Sequence, residues 1–284
     1  MIGNVRNWVA AAGLLCLLPA VAHAADGSFE RRLTVKGPVL LAVDTGSGSI
    51  HISPGGTNEV HIVAHVHASS SWMGGGGSAD DRVKQVVDNP PINQAGNIIS
   101  IGKQMTVQNV SIDYEITTPR GTDLRADTGS GDIRITDNGG PVQAKTGSGS
   151  IVADGLSDHV NLESGSGEIH ASMLSSVDVK AQTGSGDIQL KNVQGTLWAH
   201  TGSGDLQVSG RPSSGWKLET GSGSVTLDLG DAPFSIDAET GSGSFESSPA
   251  INSHVQDKHH TVGDVRGGGP QIRVSTGSGD IRVH

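Results

Sequence analysis

Along most of this chain, apolar and polar residues alternate in short runs that recur around one tetrapeptide. Thr/Ser-Gly-Ser-Gly begins at Thr45, Thr128, Thr146, Ser164, Thr183, Thr201, Thr220, Thr240 and Thr276. From Thr128 to Thr240 the spacing is nearly constant. Four residues before the hydroxyl stand Leu41, Leu124, Val142, Val160, Val179, Leu197, Trp216, Ile236 and Ile272. Two before it stand Val43, Ala126, Ala144, Leu162, Ala181, Ala199, Leu218, Ala238 and Val274. All are apolar and the residues between them mostly polar, so each run predicts a short strand with one buried face. Five and seven residues after the hydroxyl the pattern resumes, from Ile50 and Ile52 in the first copy to Ile281 and Val283 in the last, with Ser247 the one polar exception. Inward offsets are even before the tetrapeptide and odd after it, so Gly-Ser-Gly absorbs one residue of phase, as a corner does. Glycine suits a corner in two ways: it accepts positive φ, and it lets neighbouring backbones approach.

The rest of each repeat, such as residues 136–141, is rich in turn formers. One repeat cannot bury its inward face alone. Stacking repeats about 4.8 Å apart satisfies the backbone and closes a continuous core. The expected fold is therefore all-β: a single-stranded β-helix or solenoid with coils of roughly 18–20 residues. It is expected to be right-handed and to form one domain over residues 25–284. The inward hydroxyls are expected to form a ladder at the corner.

Two stretches break the pattern. The step from Thr45 to Thr128 is far longer than the others and is expected to hold irregular coils and an insertion over residues 69–95. Within it, residues 57–68 alternate cleanly and predict a strand, and residues 69–77 read as a loop. Ser78 then caps a short helix over residues 78–89, with Val83, Val86 and Val87 on one face and Pro90-Pro91 stopping it. Its expected role is to cover an open end or edge of the stack. Residues 248–269 are a long excursion before the final coil.

Residues 1–24 read as a Sec signal peptide: Arg6, an apolar run over residues 9–21, and Ala22-His23-Ala24 as the cleavage site. The run is shorter than the ~20 residues a membrane-spanning helix needs. Cleavage removes Cys16, the one cysteine, and with it disulfide and thiol chemistry. It also removes one Arg and no acid, leaving 18 basic against 29 acidic side chains, a net charge of −11. That argues against nucleic acid, whose binding needs basic surface, and no nucleic-acid partner is expected. The expected location is outside the cytoplasm: periplasmic, secreted or cell-surface, with no transmembrane segment in the mature chain.

The leader, an N-terminal strand region with one helical insertion, and repeated T-G-S-G-D/S-I coils ending in Gly-Gly-Pro-Gln-Ile-Arg-Val-Ser-Thr-Gly-Ser-Gly-Asp-Ile together resemble the bacterial putative-adhesin family of β-strand-repeat proteins. The resemblance spans residues 29–284. It implies a β-helical fold outside the cytoplasm and supplies no binding residues. No translocator barrel follows the repeats, which argues against an autotransporter.

Candidate chemistry is sparse. Gly-Ser-Gly-Asp is similar to calcium-binding glycine-aspartate nonapeptides, yet only five of nine copies carry an acid after the second glycine. Glu168, Asp187 and Asp205 lie in consecutive coils and form a candidate cation column. His61, His65 and His67 share one strand face; of these, His65 and His67 are close enough along a strand to meet one metal ion. The plainer reading of both groups is a solvated face, and no metal, cofactor or catalytic residue is assigned. Asp132, Arg134 and Lys145 would serve a polysaccharide-cleaving site if stacking brought them together. No nucleophile elbow, zinc-protease motif or phosphate loop is present. Trp198 and the Trp72-Met73 loop are candidate sugar-stacking surfaces. The expected function is a non-catalytic binding or scaffold module for an unknown partner, such as an envelope polysaccharide or a surface protein. The alternatives are a polysaccharide-active β-helix enzyme and a calcium-stabilised structural solenoid.

Overall fold

A computed structural model describes residues 25–69, 78–103 and 107–284; the signal-peptide reading and the Trp72-Met73 loop lie outside these. The described residues form two long sheets and one helix. Each repeat gives its strand before the tetrapeptide to one sheet, here the approach sheet, and its strand after it to the other, the departure sheet. The pairing is parallel and holds the repeat in register: Val142 with Val160, Val160 with Val179, and Val179 with Leu197. Every apolar position named before the corner is buried. After the corner the exceptions are Phe245 and Ser247, which are half-buried on Phe245–Ser247, the last strand of the departure sheet. The core is thus a thin double layer along the whole stack, built mainly from aliphatic side chains.

The order of stacking departs from the order of the sequence at both ends. The long step was expected to hold coils between those of Thr45 and Thr128, but Thr45 pairs directly with Thr128. The intervening segment instead builds one end of the stack. Val110–Thr118 lies parallel to Ile50–Pro54, and Glu59–Ala68 and Ala25–Thr34 follow antiparallel. On the approach sheet, Ile98–Ile101 and Ile92–Ala95 extend beyond Leu40–Thr45. The helix, Ala79–Asp88, packs across Ala25–Thr34 and Glu59–Ala68. It carries a capping box between Ser78 and Asp81 and buries Val83 and Val86. A Cβ on Gly27, which faces the core, would stand 2.5 Å from Val83 Cγ1. The helix therefore packs on the inner face of the terminal strands.

At the other end the last coil of the sequence does not stack last. Gln271–Thr276 lies between Trp216–Thr220 and Phe234–Thr240, and Ile281–Val283 lies between Val225–Asp228 and Phe245–Ser247. The excursion before it is a hairpin of Ile251–Gln256 and His260–Val265 that pairs antiparallel to Phe234–Thr240 and ends the approach sheet.

Candidate functional site

The corner holds the residues the repeat keeps most uniform. From Thr128 onward each inward hydroxyl donates to the carbonyl of the second glycine in the neighbouring coil: Thr146 to Gly131, Ser164 to Gly149 and Thr183 to Gly167, all at 2.9 Å. From Thr128 to Thr240 the same oxygen accepts the N–H of its own second glycine, as Thr201 does from Gly204 at 3.1 Å. The hydroxyls thus bridge backbone to backbone and do not bond one another as the expected ladder required. The glycines act by close approach alone. None of the tetrapeptide glycines has positive φ, whereas a Cβ on Gly167 would stand 1.9 Å from the Gly149 oxygen.

Of the residues after the second glycine, the aspartates take on a related task. Asp132 accepts the backbone N–H of Ser150 at 2.8 Å, Asp187 that of Asp205 at 2.8 Å, and Asp205 that of Ser224 at 2.7 Å. Asp280 accepts from both the backbone and the hydroxyl of Ser244, and these bonds hold its carboxyl below the ordinary carboxylate range. Glu168, the third member of the candidate cation column, turns instead to His170 at 3.0 Å. The three acids do stack in consecutive coils, but Asp187 and Asp205 are each tied to the next coil's backbone. This ladder was not foreseen from sequence. The signal for it was an aspartate after the second glycine, whose carboxylate reaches the backbone N–H that any residue offers at the same place in the next coil.

Beside this column a shallow groove of about 360 Å³ crosses several coils on the outer face of the departure sheet. It is lined by Glu168, Asp187 and Asp205 and by the next outward column: His170, Gln189, Gln207, Thr226 and Arg282. That second column is itself linked. His170 Nδ1 lies 3.2 Å from Gln189 Oε1, and Gln189 Nε2 donates to Gln207 Oε1 at 2.8 Å. Each coil along the groove therefore offers one carboxylate or hydroxyl and one amide, imidazole, hydroxyl or, at Arg282, guanidinium, at the spacing of stacked strands. Such a face suits a long, hydrated, hydrogen-bonding partner.

The outer face of the approach sheet differs. Trp198 points outward as its parity predicts and is half-buried, stacked on His200 with ring centroids 5.8 Å apart. Lys180 Nζ sits 5.2 Å from its ring centre. Both neighbours occupy surface a sugar ring would need. Glu163 joins Lys145 at 2.7 Å and Lys180 at 3.5 Å, and the Lys145 hydrogen bond holds its carboxyl below the usual range. Lys145 is thus on the approach face, whereas Asp132 and Arg134 belong to the departure side. The proposed cluster of Asp132, Arg134 and Lys145 is not formed.

The histidines lie on the outer face of Glu59–Ala68, opposite Ile62, Ala64 and Val66. Their neighbours are carboxylates. His61 meets Glu30 at 2.8 Å, and His67 lies between Asp26 at 2.8 Å and Asp113 at 3.3 Å. His65 stands opposite Asp113 and Ser28 across the two strand pairs. His65 and His67 share a face, and among the described residues no group of three metal-ligating side chains converges.

Among the buried side-chain atoms without a hydrogen-bond partner is the Tyr114 hydroxyl. Tyr114 takes the inward place of an isoleucine beside Ile50, and its hydroxyl makes no hydrogen bond. Burial, and next the Asp44 charge, push its pKa well above the usual tyrosine range.

The family model described as Toastrack DUF4097 matches residues 40–284, so the chain belongs to that family. No curated protein matches it. Among solved structures it is similar to a putative adhesin from Bacteroides fragilis, at 14% identity over 91% of this chain and 97% of that one, with a TM-score of 0.40. It is also similar to a putative cell adhesion protein from Clostridium sporogenes, at 15% identity over 90% and 99%, with a TM-score of 0.26. A putative adhesin from Parabacteroides distasonis matches at 10% identity over 91% and 97%, with a TM-score of 0.31. At these scores the likenesses carry no functional argument. No helix among the described residues is long and apolar enough to cross a membrane.

Proposed function

We propose that this Toastrack-family protein is a non-catalytic binding or scaffold module acting outside the cytoplasm, a right-handed solenoid that lays its departure face along an envelope polymer. Its coils are of roughly 18–20 residues. The linked column of His170, Gln189 and Gln207 beside Asp187 and Asp205 carries this reading. It repeats hydrogen-bonding groups at the strand spacing of about 4.8 Å, which matches a repeating partner better than a single small molecule. The aspartates of the neighbouring column accept backbone N–H groups of the next coil, which supports a structural task for them in this reading.

The test is retention of the purified protein on outer-membrane, peptidoglycan and exopolysaccharide fractions. Saturable retention by one glycan-bearing fraction is expected. Gln189→Ala with Gln207→Ala should weaken it at least about tenfold, the loss of two hydrogen bonds in a site where each is worth roughly 1 kcal/mol. Absence of retention on every fraction, or retention indifferent to that pair, overturns the reading.

A further inference from the structure

The coil that the sequence places last occupies an internal slot, one coil in from the end of the stack. Connections between stacked elements ordinarily join neighbours, so this arrangement requires a segment that crosses back and enters between two coils already made. The segment fits both walls through the same corner chemistry as the other coils. Thr276 donates to the Gly223 carbonyl at 2.7 Å on one side. On the other, Thr240 donates to the Gly279 carbonyl at 2.9 Å and Asp280 accepts from Ser244. Nothing in these contacts is particular to this coil, because the hydroxyl, the second glycine and the inward aliphatic positions recur throughout the repeat.

A hinge precedes it. Arg266, Gly267 and Gly268 all have positive φ, at 50°, 90° and 77°, and Gly269 and Pro270 follow. On the other side of that hinge the hairpin stays paired to Phe234–Thr240. Leaving the slot by rotation at residues 266–270 would break the Arg266 bonds to the Gly230 carbonyl and to Asp231 and the Ser235 N–H bond to Pro270, while the hairpin stays paired. Once out, the coil presents the same strand-corner-strand pattern to any slot of the same shape.

We infer that Gln271–Val283 is an exchangeable coil by which two copies of this chain link, each inserting it into the other's slot between the Thr220 and Thr240 coils. The contacts made in trans are those already made in cis, so dimer and closed monomer differ chiefly in the hinge and in concentration. A short flexible connection gives the cis coil an effective concentration on the order of millimolar, so exchange grows as protein concentration approaches that range. The inference does not rest on the glycan reading, although Arg282 of this coil also lines that groove.

Lys217 and Arg273 stand side by side on the approach face, in register. Their expected separation of about 4.8 Å suits a disulfide. In the full chain carrying Cys16→Ser, Lys217→Cys together with Arg273→Cys should close within one molecule. Two differently tagged chains, one with Lys217→Cys and one with Arg273→Cys, should form a covalent heterodimer whose yield rises with concentration. Its yield should exceed that of the control pair Lys217→Cys and Arg125→Cys by about tenfold, since encounter without insertion lacks the effective concentration of a seated coil. Deleting Gly267 and Gly268 should raise the dimer fraction further, because a strained hinge favours exchange. Heterodimer yield no greater than the control, with the double variant closing normally, overturns the inference. Failure of the double variant to close overturns the placement of the coil itself.

Discussion

The two long edges of the stack turn the same chain by opposite means. At the corner the repeated coils use one solution: a buried hydroxyl bridges two backbones, and a glycine leaves no space for a side chain. Along the opposite edge each turn is particular. Asn138 is buried and donates to the carbonyls of Thr122 and Gly140. Asp178 accepts from the hydroxyl and the N–H of Thr196. Trp216 reaches the Gly195 carbonyl with its indole N–H at 2.9 Å. Asp137 and Asn192 take positive φ, and the pairing shifts between Ala153 and Leu156 and again between Leu190 and Val193. The comparison teaches where a repeat is free to vary. The turn edge has close backbone approaches of its own, a Cβ on Gly195 standing 2.3 Å from the Val177 oxygen, but they differ from turn to turn, and the changes in repeat length collect there.

The strongest way to break the comparison is to put one methyl group on each edge. Gly167→Ala forces a Cβ to within 1.9 Å of the Gly149 oxygen and should lower stability by about 3 kcal/mol or more, since two backbones must part. Gly121→Ala on the other edge meets no atom within 4 Å and should be neutral or stabilise by up to about 1 kcal/mol; urea unfolding midpoints of the two variants give the contrast. Equal losses would show that the corner is no tighter than the turns.

Next in size is the hydroxyl bridge. Thr201→Val keeps the shape but strands the Gly186 carbonyl and the Gly204 N–H, at a cost of roughly 2–4 kcal/mol for two buried groups. Thr201→Ser should recover most of it, as Ser164 already does this work in its own coil. Failure of serine to rescue would assign the loss to packing of the methyl group.

A smaller effect belongs to the turn edge and to acid. The Thr196 hydrogen bonds hold Asp178 below the ordinary carboxylate range. A lowered folded-state pKa gives stability that is present above the unfolded pKa and lost as pH falls through the folded one. Asp178→Asn should therefore flatten the acid limb by lowering unfolding midpoints above about pH 4, near neutrality included, and change little below it. An unaltered acid limb would remove Asp178 from it. The smallest expected effect is none: calcium and a chelator should leave the melting temperature unchanged, since backbone N–H groups already engage Asp187 and Asp205. A calcium-dependent rise abolished by Asp187→Asn with Asp205→Asn would place an ion on that column.

The strands, their inward faces and the capped helix were legible because each follows from local periodicity: Val142 and Ala144 face inward for the same reason as Leu197 and Ala199. The order of stacking was not legible, for a reason built into the repeat. Thr276 can pair with any coil that presents a hydroxyl, two glycines and two aliphatic residues, so its place between Thr220 and Thr240 is decided by chain connectivity. The long step from Thr45 to Thr128 was misread in the same way. Ile112, Asp113 and Tyr114 reproduce the corner's backbone contacts to Thr45 and Ser49 without the tetrapeptide, and no motif announces them. The candidate groove was half legible. Outward positions could be named, but which of them bond one another depends on the stacking.

The internal position of the last coil also sets how the molecule meets tension. A pull entering at His284 does not reach the exposed end of the stack first. Ile281–Val283 is hydrogen-bonded on both sides, to Val225–Asp228 and to Phe245–Ser247, so two sets of bonds along parallel strands share the load. An outermost coil would be peeled one bond at a time; a coil held from both sides must slide, and sliding strains all its bonds together. Force on this coil would thus be met on both of its sides, where an outermost coil would meet it on one.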